Sequence, residues 1–486
     1  MISSIVQHLL VAIVTGGGGF LGGHVVETFL KAGYRTVLVI REKSILSNVK
    51  TVQFWREQYP TSFEVVICDL SKRTSSLEST LLNSNFNISL EDITCIVNCA
   101  CPFQRSFVNY IEEIVEPALH IVNNVVEFAA AIRRSQRNLG DSNAAYSGSE
   151  NLRIIHVSSS AALRGIEQLP YNTIPPKATA SPFPFVPKPP ESVALSRATF
   201  SPLDWNTCSK VDGGGMQSYQ FAKTVSEQMM FETALASDFE VLSIVPVTML
   251  GPICDGQQDN TKKMREQKIE SDLLGDINEI TATVRNGISA KFVKDWHSGI
   301  LKQEKRLIAD VRDVALAILN AAKMNLENYP RIIEADGEFH KNSLPPAILE
   351  LRDFLRNAEE TPTHIFQNNT VEGNTHRIKS DFYASYDLIS SSTRCRKYYR
   401  RRFIIGGSRR IEHSAVENIL LSNGFQGGSL PVSETMMKSN AAFRTDIDEL
   451  DVSATSISIL SGGLGIVCRK WEDTILDTAR QFYDED

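Results

Sequence analysis

The stretch "TGGGGFLG", Thr15 to Gly22, lies between the apolar run "LLVAIV" and the segment "HVVETFLKAGY". The run reads as a short buried strand. The segment, with apolar residues at three- and four-residue spacing, reads as a helix stopped by Gly33. Gly16, Gly19 and Gly22 stand at GxxGxxG spacing. Glycines at a strand-to-helix turn adopt backbone conformations closed to other residues and let the main chain approach a pyrophosphate. The last one lets the helix pack on the sheet with its N-terminal amides facing the anion. A P-loop would need Lys and then Ser or Thr after its last glycine, whereas Gly23 and His24 stand there. The turn therefore predicts a dinucleotide-binding βαβ unit.

Further strands follow outward from this unit. "RTVLVI", "FEVVICDL", "ITCIVNCA", "LRIIHVSS" and "EVLSIVPVTMLGP" are short and nearly all apolar, and helical stretches separate them. One such helix, "PALHIVNNVVEFAAAIRR", opens on a proline suited to a first turn. Strands of this kind belong to a parallel sheet covered on both faces. The expected fold is α/β: a Rossmann-type doubly wound sheet over residues 1–250, with a smaller substrate-binding lobe over 251–486 that shares elements with it. Loop insertions are expected near 136–151 and in the proline-dense region 170–203, and a further insertion near 325–400.

Composition sets the outer limits. The chain has 486 residues, 42% of them hydrophobic, and a formal net charge of −7, so it can bury a large core. It has no global positive field to hold nucleic acid or an acidic membrane surface. No apolar run reaches bilayer length, and the first residues read as a strand because they lack a basic leader region. The eight cysteines form no CxxC pair and no zinc-type cluster. We expect reduced thiols, no metal and a cytoplasmic location.

The end of the second strand selects the nucleotide. An acid there would receive ribose hydroxyls, and an arginine would receive the extra phosphate of NADP. "VLVIREKS" puts Arg41 first and Glu42 second, which favours NADPH and leaves NADH as the second candidate. "YQFAK" places Tyr219 and Lys223 at i and i+4 on one helical face. A nearby ammonium favours the phenolate and makes a tyrosine usable in proton transfer. "VSSSAAL" puts Ser158 to Ser160 at the sheet edge where doubly wound folds bind ligands, able to donate to a substrate carbonyl.

On these motifs the chain resembles the extended short-chain dehydrogenases/reductases, most of all the branch of dihydroflavonol 4-reductases and cinnamoyl-CoA reductases. The resemblance assigns Ser160, Tyr219 and Lys223 as the catalytic trio. To the cofactor it assigns Thr15, Gly16, Gly19, Phe20, Leu21, Gly22, Arg41 and Ser158. It adds Asp69 and Leu70 ("CDL"), Ala100 ("NCACP") and Pro246 ("IVPVTMLGP"), with Tyr219 and Lys223 again. "LIADVRDVALAIL", "FIIGGS" and "LGIVCRKWEDTILDTARQF" resemble later elements of the family. The resemblance implies a monomer or homodimer that reduces a small-molecule ketone or aldehyde with NADPH. Its alternatives are a nucleotide-sugar epimerase/dehydratase, a hydroxysteroid dehydrogenase/isomerase, or a non-catalytic nucleotide-binding sensor or scaffold.

Other signals are weaker. "RCRKYYRRRF", Arg394 to Phe403, reads as a solvated basic turn before a strand rather than a nucleic-acid contact. "NNT" at Asn368 reads as a loop. Trp205 either lines the substrate pocket or packs on the core.

Overall fold

Alternation along the first strand divides the molecule into two cores. In β1 (Val11–Thr15), Val11 and Ile13 face one hydrophobic cluster, and Ala12 and Val14 face another on the opposite side of the sheet. In the computed structural model the described residues are 10–84, 88–102, 109–140, 152–165, 199–200, 202, 204–206, 209–210, 215–235, 239–257, 289, 293, 295, 305–324, 326, 401–407, 411–425, 449–450 and 464–483.

After β1 come α1 (Phe20–Lys31), β2 (Arg35–Ile40), α2 (Glu42–Gln58), β3 (Phe63–Ile67), α3 (Leu77–Leu82) and β4 (Ile93–Asn98). A π-helical turn at Ile111–Val115 leads into α4 (Glu116–Gly140), which is followed by β5 (Arg153–Val157), β6 (Thr199–Phe200) and α5 (Gly215–Leu235). Then come β7 (Glu240–Pro246), β8 (Thr248–Leu250), β9 (Lys305–Arg306), β10 (Ile308–Asp310) and α6 (Val311–Lys323). The last elements are β11 (Arg402–Ile405), β12 (Ile411–Glu412), α7 (His413–Ser422), β13 (Glu449–Leu450) and α8 (Trp471–Tyr483).

Seven strands form the main sheet in the order β11-β7-β5-β4-β1-β2-β3, and every neighbouring pair is parallel. The order reverses between β1 and β4, which opens a crevice at the carboxyl ends of those two strands. Residues of α3, α4 and α5 build the core on one face, and residues of α1, α2 and α6 build the core on the other. This is the doubly wound sheet that the strand pattern predicts.

Two differences from the sequence expectation have local causes. The predicted strand "EVLSIVPVTMLGP" divides at Pro246, which has no N–H to donate to a ladder. β7 stays in the main sheet, while β8 leaves it to pair with β10. In addition, α4 runs through residue 140 and takes up the first residues assigned to the 136–151 insertion. The remainder of that insertion, most of the proline-dense region and most of 325–400 lie outside the described residues, as does Asn368.

The later part of the chain supplies β11 to the main sheet and also a third, smaller core. There Leu250, Ile308, Val416, Leu420 and Ile475 pack together. α8 is fastened to α6 by polar contacts. Asp310 caps α6 through the Arg312 amide, accepts from Thr474 Oγ1 at 2.9 Å and pairs with Arg312, which also reaches Asp477 at 2.8 Å.

Candidate active site

The glycine turn sits at the mouth of the β1/β4 crevice. Gly16 has φ +68°, and a Cβ there would lie 2.8 Å from the backbone N and Cα of Ala100. The ends of β1 and β4 therefore touch main chain to main chain, and only glycine permits it. A Cβ on Gly22 would lie 2.2 Å from the Gly16 carbonyl oxygen, so the first turn of α1 rests directly on the loop. Gly19 is the N-cap of α1, and Phe20, Leu21 and Gly22 follow as its first residues. This cradle fits the pyrophosphate of a dinucleotide: a glycine backbone at a helix N-terminus, beside the carboxyl ends of two parallel strands.

Buried side chains brace the cradle from below. Thr15, fully buried, donates to Asn98 Oδ1 at 2.8 Å and accepts from the Ala100 amide at 3.4 Å. The Asn98 amide donates in turn to His156 Nδ1 at 3.2 Å. Burial drives the His156 imidazole down to about 3, and the neighbouring Lys223 charge adds to this, so the ring is neutral at physiological pH.

The remaining cofactor candidates stand at the carboxyl ends of other strands of the same sheet. Arg41 is exposed at the N-cap of α2, directly after β2, and Glu42 begins the helix. Asp69 accepts from the Ser71 hydroxyl at 2.6 Å, which fixes the turn after β3. Leu70 is buried, and its carbonyl accepts from Asn124 at 2.8 Å. Pro246 closes β7, two strands from β4.

At the carboxyl end of β5 the proposed chemistry converges. Lys223, buried on α5, donates to the Val157 carbonyl at 2.9 Å. The Tyr219 phenol stands beside Lys223 and is hydrogen-bonded to the side chain of Ser159. Ser159 is the N-cap of the 3-10 turn at Ser160–Ala162, where its side chain also accepts from the Ala161 amide at 3.2 Å, and Ser160 is the first residue of that turn. Ser158, the first of the three, is buried and donates to Glu227 Oε2 at 2.7 Å.

Electrostatics modify the expectation for Tyr219. Burial raises the phenol pKa above its ordinary value, while the Lys223 charge and the Ser159 hydrogen bond pull it down. Burial prevails, so the phenol keeps its proton through neutral pH. On Lys223, burial works against the charged form, but Cys101, Tyr219 and Glu227 overcome it and raise its pKa. The lysine is therefore a cation.

Sequence reasoning missed one feature of this region. Arg401 and Arg402 of the basic run are not solvated but almost fully buried. Arg401 pairs with Glu240. Arg402 grips Glu227 with two nitrogens, at 2.8 and 3.1 Å. Glu227 lies four residues beyond Lys223 and on the same face of α5, which was the available signal: a carboxylate continuing the inward stripe of the catalytic helix. Trp205 is buried with its ring 3.7 Å below the Arg402 guanidinium, which makes it a packing residue. The stretch from Arg394 to Arg400 lies outside the described residues.

The family model described as male sterility protein, a family of NAD-binding domains, matches residues 14–266, which span the cradle and the trio. The chain belongs to this family. It is an NAD(P)-dependent oxidoreductase of the extended short-chain dehydrogenase/reductase superfamily. Among curated relatives, this oxidoreductase is 20% identical over 336 residues to the uncharacterized oxidoreductase YDR541C of Saccharomyces cerevisiae, covering 67% of this chain and 78% of the relative. It is 30% identical over 119 residues to aldehyde reductase 2 of Sporidiobolus salmonicolor, covering 24% of this chain and 31% of that enzyme. Among solved structures it resembles the yeast methylglyoxal/isovaleraldehyde reductase Gre2 complexed with NADPH. The TM-score is 0.52 at 17% identity, with 98% of each chain covered. The fold of Gre2 from Candida albicans is similar, with a TM-score of 0.51 at 15% identity over 98% of this chain and 99% of that one. Among the described residues no helix is long and apolar enough to cross a membrane, and no group of three or more His, Cys, Asp or Glu is placed to hold a metal.

Proposed function

We propose that this oxidoreductase reduces the carbonyl group of a small ketone or aldehyde, with NADPH as the preferred nucleotide. The observation that carries the reading is the meeting of Tyr219, Lys223 and Ser159 at the end of β5, beside the glycine cradle at the sheet's switch point. The glycine turn would hold the pyrophosphate, Arg41 would meet the 2′-phosphate, and Lys223 would hold the ribose. The nicotinamide, when bound, supplies the hydride.

The protein's own groups handle the proton. Tyr219, kept protonated by burial, donates from its phenol oxygen to the carbonyl oxygen. The Ser159 hydroxyl, already bonded to that phenol, polarises the same carbonyl and takes the part first assigned to Ser160. The Lys223 cation lies where it stabilises the phenolate left behind. A protonated phenol suits the direction of reduction. The relatives named for aldehyde or methylglyoxal reduction support a carbonyl substrate, and "VIRE" and "NCACP" support placement beside the dihydroflavonol reductases. The third core, with α7 and α8, supports a separate lobe on the substrate side.

The test is oxidation of NADPH and NADH against a panel of aldehydes, flavonoid-like ketones and acyl-CoA thioesters. NADPH-preferring turnover that disappears in Tyr219→Phe is expected. Nucleotide binding without turnover on any carbonyl would overturn the reading.

A further inference from the structure

We infer that Arg402 and Glu227 form a buried positioning pair that sets the geometry of the serine segment and the catalytic helix from a strand remote in sequence. The inference rests on the reductase reading for its kinetic consequences but not for its geometry.

Arg402 lies on β11, the edge strand of the main sheet, and its side chain is fully buried. Its fork binds both oxygens of Glu227 on α5, and Glu227 Oε2 also accepts from Ser158, next to the Ser159 that meets Tyr219. One carboxylate thus ties the catalytic helix to the end of β5. The third guanidinium nitrogen, Nη1, donates to the carbonyl of Pro202 at 2.8 Å and to that of Asp204 at 2.6 Å, while Trp205 stacks on the guanidinium plane.

The segment pinned in this way crosses both halves of the site. Asn206 donates to the Ala161 carbonyl at 2.8 Å, and its own amide donates to the Ala162 carbonyl at 2.9 Å. Ser209 donates to Gln220, the neighbour of Tyr219, at 2.8 Å. A guanidinium can serve a carboxylate, two carbonyls and an aromatic face at once because it is planar and carries five donors. A lysine ammonium cannot. Buried ion pairs cost desolvation, and a mere packing role is filled as well by apolar side chains. A four-way arrangement of this kind therefore points to specification of geometry.

Two variants test the inference. Arg402→Lys keeps the charge and loses the fork. The double variant Arg402→Met with Glu227→Met removes both charges together, so that neither is left buried alone, and its circular dichroism and melt verify that it folds. Each is compared with wild type for thermal stability, NADPH dissociation constant, kcat, the isotope effect on kcat from NADPH deuterated at the transferred position, and hydrogen exchange over 202–210. We expect NADPH affinity to fall less than kcat, because the glycine cradle on β1 and α1 is untouched and only the contacts from α5 and the serine segment shift. We also expect kcat at least tenfold lower in both variants, an increased isotope effect, and faster exchange in 202–210, even where the double variant melts as wild type does. Recovery of kcat along with stability in the double variant, or unchanged exchange in 202–210, would overturn the inference. If wild type turns over no carbonyl, the reductase reading falls, and the exchange arm alone decides on the pair.

Discussion

Replacing Gly22 by alanine tests whether the cradle is built as tightly as the nucleotide requires. A Cβ there would meet the Gly16 carbonyl oxygen at 2.2 Å and the Gly17 Cα at 2.6 Å, both backbone atoms with no side chain to swing away. Ordinary contact begins near 3.4 Å, so the loop and the first turn of α1 must part by about 1.2 Å. Overpacking of this kind costs roughly 1–3 kcal/mol, and helix propensity offsets little of it, because both atoms met are main chain and Gly22 stands in the first turn of α1. Binding is lost as well. Moving the loop by this much removes amide contacts to a charged phosphate worth roughly 1.5–3 kcal/mol each, or about a ten- to hundredfold loss of affinity. Gly33→Ala is the control. Gly33 has φ +84° with nothing within 4 Å of a Cβ, so the change costs about 1–2 kcal/mol of backbone strain and leaves the cradle alone. Titration of NADPH fluorescence alongside thermal melts separates the two effects. Both variants should melt below wild type, but only Gly22→Ala should bind NADPH weakly, while Gly33→Ala should bind it normally. Normal NADPH affinity in Gly22→Ala would refute the placement of the pyrophosphate.

Three further outcomes are expected. Tyr219→Phe should lower kcat by about 10²–10⁴ with nucleotide affinity unchanged, as single-turnover absorbance would show. Arg41→Glu should weaken NADPH by tenfold or more while leaving NADH within a few-fold, measured as the ratio of their KM values. Acid should destabilise the fold between pH 6.5 and about 4. Burial lowers His24 to about 4 and His156 to about 3, so each is neutral when folded and takes up a proton on unfolding below 6.5. Stability is therefore intact above 6.5 and falls with decreasing pH, at about 3 kcal/mol per unit for the two groups together. Urea titrations across that range should show this slope, reduced by about half in His156→Asn.

Local chemistry made the glycine turn and the Tyr219–Lys223 spacing legible in the sequence. A glycine turn between a strand and a helix, and a Tyr–Lys pair one helical turn apart, carry their geometry in their spacing. The parallel, doubly wound character of the sheet was legible for the same reason, because short apolar runs separated by helices leave few architectures. What escaped depends on distant partners. Arg402 reads as one more charge in a basic run until Glu227, 175 residues earlier, is seen beside it. The serine that meets Tyr219 could not be chosen among Ser158, Ser159 and Ser160 from spacing, since the turn after β5 decides which hydroxyl faces the phenol. Pro246 was visible, but the switch of sheets that it imposes requires β10 as a partner for β8.

The central claim, hydride transfer to a carbonyl with Tyr219 as the proton donor, is tested most directly by following label. NADPH deuterated at the transferring position would be incubated with the best carbonyl substrate of the panel, and the product would be examined by mass spectrometry. The account predicts one deuterium on the former carbonyl carbon of an alcohol, with none transferred by Tyr219→Phe on the same timescale. Deuterium retained in the nucleotide, or an equal transfer rate in Tyr219→Phe, would contradict it.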